Sequence, residues 1–223
     1  MIRPLALLAL LVTALAACGD ETAPNVAATA NVTANQAAPV RPPQDIERVD
    51  LVTDAGTITL ALDRRHAPVT TANFLAYVDQ HKFDGTNFYR AARTRGAPHR
   101  GFIQGGIRHV YTRMLPPIAH EPTSQTGLRH VDGTISMART APGSATGDFF
   151  IIVGPMPSMD AGGRPSGESN DRFGYAAFGQ VVEGMEVVRR ILAVPTTPNA
   201  GRGGMRGQMI TAPVRIVRAT RTD

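Results

Sequence analysis

The chain has 223 residues, 43% of them hydrophobic, a formal net charge of +5 and a single cysteine. The lone cysteine excludes an intramolecular disulfide framework. Of the 23 basic side chains Lys82 is the sole lysine, and the positive surplus is read as solubility.

Residues 1–17 carry Arg3 and then an apolar run over 5–17. That run is shorter than the roughly 20 residues a bilayer-spanning helix needs, and has the length of a secretory signal core. It ends in Leu15-Ala16-Ala17-Cys18. This ending resembles a bacterial lipobox, which implies that Cys18 is lipidated and heads the mature protein. The alternative is an ordinary signal peptide cleaved at small residues, with Cys18 incidental. Residues 18–45 are dominated by Ala, Thr, Asn and Pro and lack aromatics. They bury too little apolar surface to offset ordering entropy, so they are read as a flexible tether. The expected location is the bacterial cell envelope, facing the periplasm. Gly19 and Asp20 leave the choice of inner or outer membrane open.

From Ile46 to the end the hydrophobic patterning suits one domain with its own core. Residues 50–62 read as two strands around Asp54-Ala55-Gly56. Residues 68–78 read as a helix, capped by Thr70 or Thr71, with Val69, Ala72, Leu75 and Val78 at helical spacing. Residues 133–138, 149–153 and 176–182 read as buried strands between Gly/Pro/Ser loops. A second helix covers 184–192, with Met185, Val188 and Ile191 on one face, and 214–219 alternates as a closing strand. Many strands, two helices and short turns point to a closed barrel.

Four motifs carry more than element order. They are Phe88-Tyr89-Arg90, Gln104-Gly105-Gly106, the stretch GTISMARTAPGSATGDFFIIV over 133–153, and FGYAAFGQVVEGMEVV over 173–188. Together they resemble the cyclophilins, which catalyse cis/trans isomerisation of the peptide bond before proline. The resemblance runs from about Val49 to Ala219. It implies a mainly β fold, a closed eight-stranded antiparallel barrel capped by two α-helices. It implies no cofactor.

The resemblance also implies site residues. Arg90 takes the place of the catalytic arginine, and Gln104 that of a glutamine that bonds the substrate backbone and helps hold the arginine. Phe150 matches the floor of the proline pocket; strand alternation then sends Phe149 to the core. Ala138 matches the strand end where substrate backbone pairs, Tyr175 the pocket edge and Met159 a pocket wall. Phe88 is placed with the substrate-binding set. Phe102 takes one of two places, that of a phenylalanine or a methionine lining the pocket.

Three features depart from the family pattern. The segment between Arg90 and Gln104 is longer than usual, and reads as a loop carrying Arg93, Arg95, His99 and Arg100. That loop is either a basic lid selecting acidic clients or anionic lipid, or a solvated loop. Ser158 stands where the family often has an aromatic, and a Trp there favours cyclosporin binding, so weak cyclosporin sensitivity is expected. Asp148 replaces the usual glutamine before the Phe-Phe pair, where an acid can pair with Arg90 or a neighbour.

Other chemistries find little support. The six histidines lack metal-ligand spacing, so no metal site is expected. Ser144 lacks a G-x-S-x-G elbow for a hydrolase. The GRGGMRG run over 201–207 reads as a solvated loop, and no nucleic-acid partner is expected. The reading is a monomeric, lipid-anchored peptidyl-prolyl isomerase acting on proline-containing unfolded or partly folded polypeptides. A non-catalytic proline-binding or holdase module on the same fold is the alternative, and an envelope structural lipoprotein is a third.

Overall fold

A computed structural model describes residues 45–108, 110–163 and 172–222. Cys18, the signal segment and nearly all of the tether lie outside the described residues. The strands are β1 (Ile46–Thr53), β2 (Gly56–Asp63), β3 (Asn87–Thr94), β4 (Ala97–Gly106), β5 (Thr134–Met137), β6 (Asp148–Val153), β7 (Ala177–Glu183) and β8 (Met209–Thr222). They close into an antiparallel barrel in the order β1-β2-β7-β5-β6-β4-β3-β8. Closure leaves no exposed sheet edge.

Among the described residues the two expected helices, α1 (Pro68–Asp79) and α3 (Met185–Ala193), accompany the barrel together with a short third, α2 (Thr123–Thr126). α2 is a single turn, ended by Gly127 at φ 76°. It has no apolar period to announce it. Among the described residues no helix is long and apolar enough to cross a membrane.

Two local expectations need correction. The threonines near the start of α1 do not cap it. Glu121 does so from a distant loop, accepting the Val69 and Thr70 backbone N–H groups at 3.1 and 2.7 Å and the Thr70 hydroxyl at 2.6 Å. A carboxylate satisfies the orphan N–H groups and suits the positive end of the helix dipole. The buried face of α1 also turns away from Val69 and Ala72, towards Phe74, Leu75, Tyr77 and Val78.

The segment after Arg90 is not a loop either. It continues β3, turns at Arg95-Gly96 and returns as β4, with Ala92 opposite Phe102 and Ala91 opposite Ile103. Gly96 at φ 79° supplies the left-handed backbone the turn requires. Arg93 anchors this hairpin to the end of α3, donating from Nε to the Leu192 carbonyl at 2.8 Å and from Nη2 to the Val194 carbonyl.

The barrel interior is filled by side chains. Phe74, Phe83, Phe88, Phe149 and Phe178 are fully buried there. Their rings meet at centroid distances from 4.9 to 5.7 Å, several edge to face, the arrangement aromatic quadrupoles prefer.

Candidate active site

One irregularity in β3 creates the site. Opposite β4, Phe88 pairs with Gly105 and Arg90 with Gln104, so Tyr89 is an extra residue, a β-bulge. Strand alternation alone would put Phe88 and Arg90 on one face. The bulge inverts the alternation beyond it. Phe88 therefore points into the barrel, while Arg90 points outward. This corrects the placement of Phe88 among the substrate-binding residues: its ring sits at 5.7 Å from Phe149 in the core.

The register then assembles an outer face. Gln104 lies opposite both Arg90 and Phe150, Phe102 opposite Ala92 and Ile152, and Phe150 opposite Ser136. Ala92, Phe102, Phe150, Ile152 and Met159 form a second apolar cluster, separate from the barrel core, with Ala138, Met156 and Tyr175 packed on it. The glycines of the 104–106 motif have a structural cause. A Cβ on Gly105 would lie 2.8 Å from the Phe88 ring, and one on Gly106 would lie 2.3 Å from the Gly147 carbonyl.

Rings shape the floor of this cluster. Phe102 and Phe150 are 5.3 Å apart, and Tyr175 meets Phe150 edge-on at 5.2 Å. The Tyr175 N–H donates to the Met159 carbonyl at 2.9 Å, tying pocket edge to pocket wall. Below the floor, His130 stacks on Phe150. Its Nδ1 bonds Asp160 at 2.7 Å and its Nε2 bonds the Ser136 hydroxyl at 3.0 Å. Burial alone would raise the Asp160 pKa; the bonds from the His130 ring and backbone N–H outweigh it and hold the carboxyl below its ordinary value.

Above the floor stands Arg90, only 8% exposed, with its Cζ 4.8 Å from the Phe102 ring centroid. Its Nε donates to Gln208 Oε1 at 2.7 Å and its Nη1 to Gln104 Oε1 at 2.9 Å. Gln104 in turn donates from Nε2 to the Tyr89 hydroxyl oxygen at 2.8 Å. Burial and then the nearby Asp148 charge push the Tyr89 pKa far upward. The hydroxyl thus keeps its proton, with the Asp148 carboxylate close by. The chain of bonds has one direction, from Arg90 through Gln104 to the Tyr89 hydroxyl.

Arg90, Phe102, Gln104, Ala138, Phe150, Met159 and Tyr175 all line one groove of about 1000 Å³. The structure thus brings together every sequence-derived pocket residue except Phe88. Phe102 takes the place under Arg90. The hairpin segment with Arg93, Arg95, His99 and Arg100 is not among the residues that line the groove. Sequence reasoning missed Gln208 and Tyr89 as partners of the arginine–glutamine pair. The 201–207 loop is solvated as read, and its Gly201, Arg202 and Met205 also border the groove. Nothing in the sequence connects Gln208 to Arg90, 118 positions away. Among the described residues no group of His, Cys, Asp or Glu is placed to hold a metal ion.

Comparison with known proteins decides the family. The family model for cyclophilin type peptidyl-prolyl cis-trans isomerases matches residues 48–221. The chain belongs to the cyclophilin family. Relatives of this cyclophilin include the peptidyl-prolyl cis-trans isomerase A of Dickeya dadantii, 42% identical over 153 residues, covering 66% of this chain and 71% of the relative. The peptidyl-prolyl cis-trans isomerase B of Escherichia coli is 37% identical over 154 residues, covering 69% and 86%. A Cryptosporidium parvum cyclophilin type isomerase, crystallised in the presence of the dipeptide Ala-Pro, aligns with a TM-score of 0.62 at 18% identity. That alignment covers 79% of this chain and 99% of the other, and speaks for the fold.

Proposed function

We propose that this cyclophilin-type peptidyl-prolyl isomerase acts on X-Pro bonds of exported polypeptides, as a monomer anchored to the envelope through Cys18. The observation that carries the chemical part is Arg90, held over Phe102 by Gln104 and Gln208 at the lip of an apolar pocket.

Rotation about a peptide bond faces a barrier of about 18–20 kcal/mol, because resonance shares the nitrogen lone pair with the carbonyl. In the twisted transition state the lone pair returns to nitrogen. A fixed guanidinium beside that nitrogen stabilises the localised pair more than either planar form, and only such differential binding accelerates the step. Arginine suits the role because it stays charged and presents its donors in a rigid plane. Phe150, Phe102, Met159 and Tyr175 take the proline ring, and Gln104 and Ala138 meet the substrate backbone. No covalent intermediate and no acid–base pair is required.

The envelope location rests on the Leu15–Cys18 motif and the tether composition. Labelled fatty acid incorporated into the parent chain but not into Cys18→Ser is the expected result.

The direct test is isomerisation of an Ala-Pro peptide, followed by NMR exchange or a protease-coupled assay, for the parent and Arg90→Ala. A fall of at least about tenfold in a folded variant, which corresponds to about 1.4 kcal/mol of transition-state stabilisation, is expected. Peptide binding without turnover in the parent would instead favour the non-catalytic module.

A further inference from the structure

The groove wall carries arginines that isomerisation itself does not use. Arg108 follows β4 with a left-handed backbone, φ 44°, which a non-glycine residue adopts at an energetic cost. Its N–H donates to Asp148 Oδ1 at 2.9 Å, and its guanidinium carbon lies 5.3 Å from the Tyr89 ring centroid. Arg139, just after the pocket residue Ala138, places its guanidinium carbon 4.8 Å from the Tyr175 ring centroid and donates from Nε to the Gly174 carbonyl at 3.1 Å. Arg202 borders the groove from the exposed 201–205 loop.

Among the described residues that line the groove, the carboxylate is Asp148, which accepts from the Arg108 N–H. Arg108 and Arg202 therefore add positive charge to the described wall of the groove, beside the proline pocket. The Arg108 and Arg139 guanidiniums, like that of Arg90, are pre-positioned over aromatic rings, which lowers the ordering entropy lost when a carboxylate binds.

We propose that the groove selects X-Pro segments carrying Asp or Glu within a few residues of the proline. The proposal rests on the isomerase reading above and names its substrate class. An extended peptide advances about 3.3 Å per residue, so side chains flanking a seated proline stay inside the reach of these cations. Lysine at the same places meets like charge. The attraction acts partly through water, so it weakens as salt shortens the screening length to about 8 Å at 0.15 M.

The test compares kcat/KM of the full chain on Ala-Pro peptides that differ only in Glu, Ala or Lys at each flanking position, at low and high salt. The expected Glu-to-Lys ratio is about tenfold at low salt, the size of rate effect that cleft electrostatics produce, and it shrinks with salt. The ratio falls further in Arg108→Ala and in Arg202→Ala. Because the readout is a ratio, a general loss of activity in a variant does not move it. Robust turnover with a ratio near one overturns the proposal and leaves the isomerase reading standing. Absence of turnover on every peptide overturns the isomerase reading instead; equilibrium binding of the same peptides then decides selection, tighter Glu-peptide binding supporting it and equal binding overturning it. A ratio near one together with tight binding to phosphatidylglycerol vesicles assigns the arginines to a lipid surface and also overturns it.

Discussion

Replacing Tyr89 by Phe removes one hydroxyl from a chain of hydrogen bonds and leaves the ring that lies against Arg108. The Gln104 side-chain nitrogen then loses its acceptor at 2.8 Å. Gln104 is only 9% exposed, so the lost partner matters. An unsatisfied buried donor costs about 1–3 kcal/mol. Gln104 relieves this by rotating its amide towards another acceptor, which takes Oε1 away from Arg90 Nη1. Arg90 keeps the bond from Nε to Gln208 at 2.7 Å, so the loss is partial. A loss of about 1–2 kcal/mol of arginine positioning corresponds to about five- to thirtyfold in kcat. The apolar pocket is unchanged, so KM for a proline peptide should hold. A double-mutant cycle with Arg90→Ala isolates the coupling. In that background Tyr89→Phe should have almost no further effect, because Tyr89 acts through the arginine. An equal loss in both backgrounds, or full activity in Tyr89→Phe alone, refutes the relay.

Three further outcomes are expected. Asp160 has a depressed pKa in the fold, so its contribution to stability is present above the ordinary carboxylate value of about 3.9 and disappears as pH falls through the lower folded value. The Tm gap between parent and Asp160→Asn should therefore be large at pH 7 and close below about pH 4; a gap constant down to pH 2 contradicts this. Gly105→Ala drives a methyl group into the Phe88 ring and should destabilise the barrel by about 1–3 kcal/mol in denaturant melts, whereas a neutral result would mean that the ring moves aside freely. Ser158 in place of an aromatic should leave cyclosporin a weak inhibitor, and an inhibition constant matching that of sensitive cyclophilins would refute this.

The barrel and most of the groove were legible because their residues sit in short motifs. Phe149 and Phe150 are adjacent, alternation assigns them opposite faces, and the barrel uses them so. Arg90 and Gln104 were named from their neighbours, yet the element that joins them was misread. Residues 91–103 contain Arg, Thr, Gly and Pro, and their hairpin depends on pairing with β6 and on Arg93 docking against α3. Phe88 was misassigned because a bulge leaves no local composition signal; it follows from closing β3 against β4 and β8 together. Glu121 capping α1 and Gln208 holding Arg90 are long-range polar bonds, invisible to periodicity. These misses share a cause: each depends on where two distant segments meet.

The filled interior of the barrel has a consequence for the shape of what can be processed. With Phe74, Phe83, Phe88, Phe149 and Phe178 occupying the centre, nothing threads through, and the working surface is the outer wall of β3, β4, β5 and β6. A client needs no free end to reach it. A proline in a loop midway along a much larger, half-folded chain can be laid against the wall, turned and released, with the rest of that chain remaining in solvent.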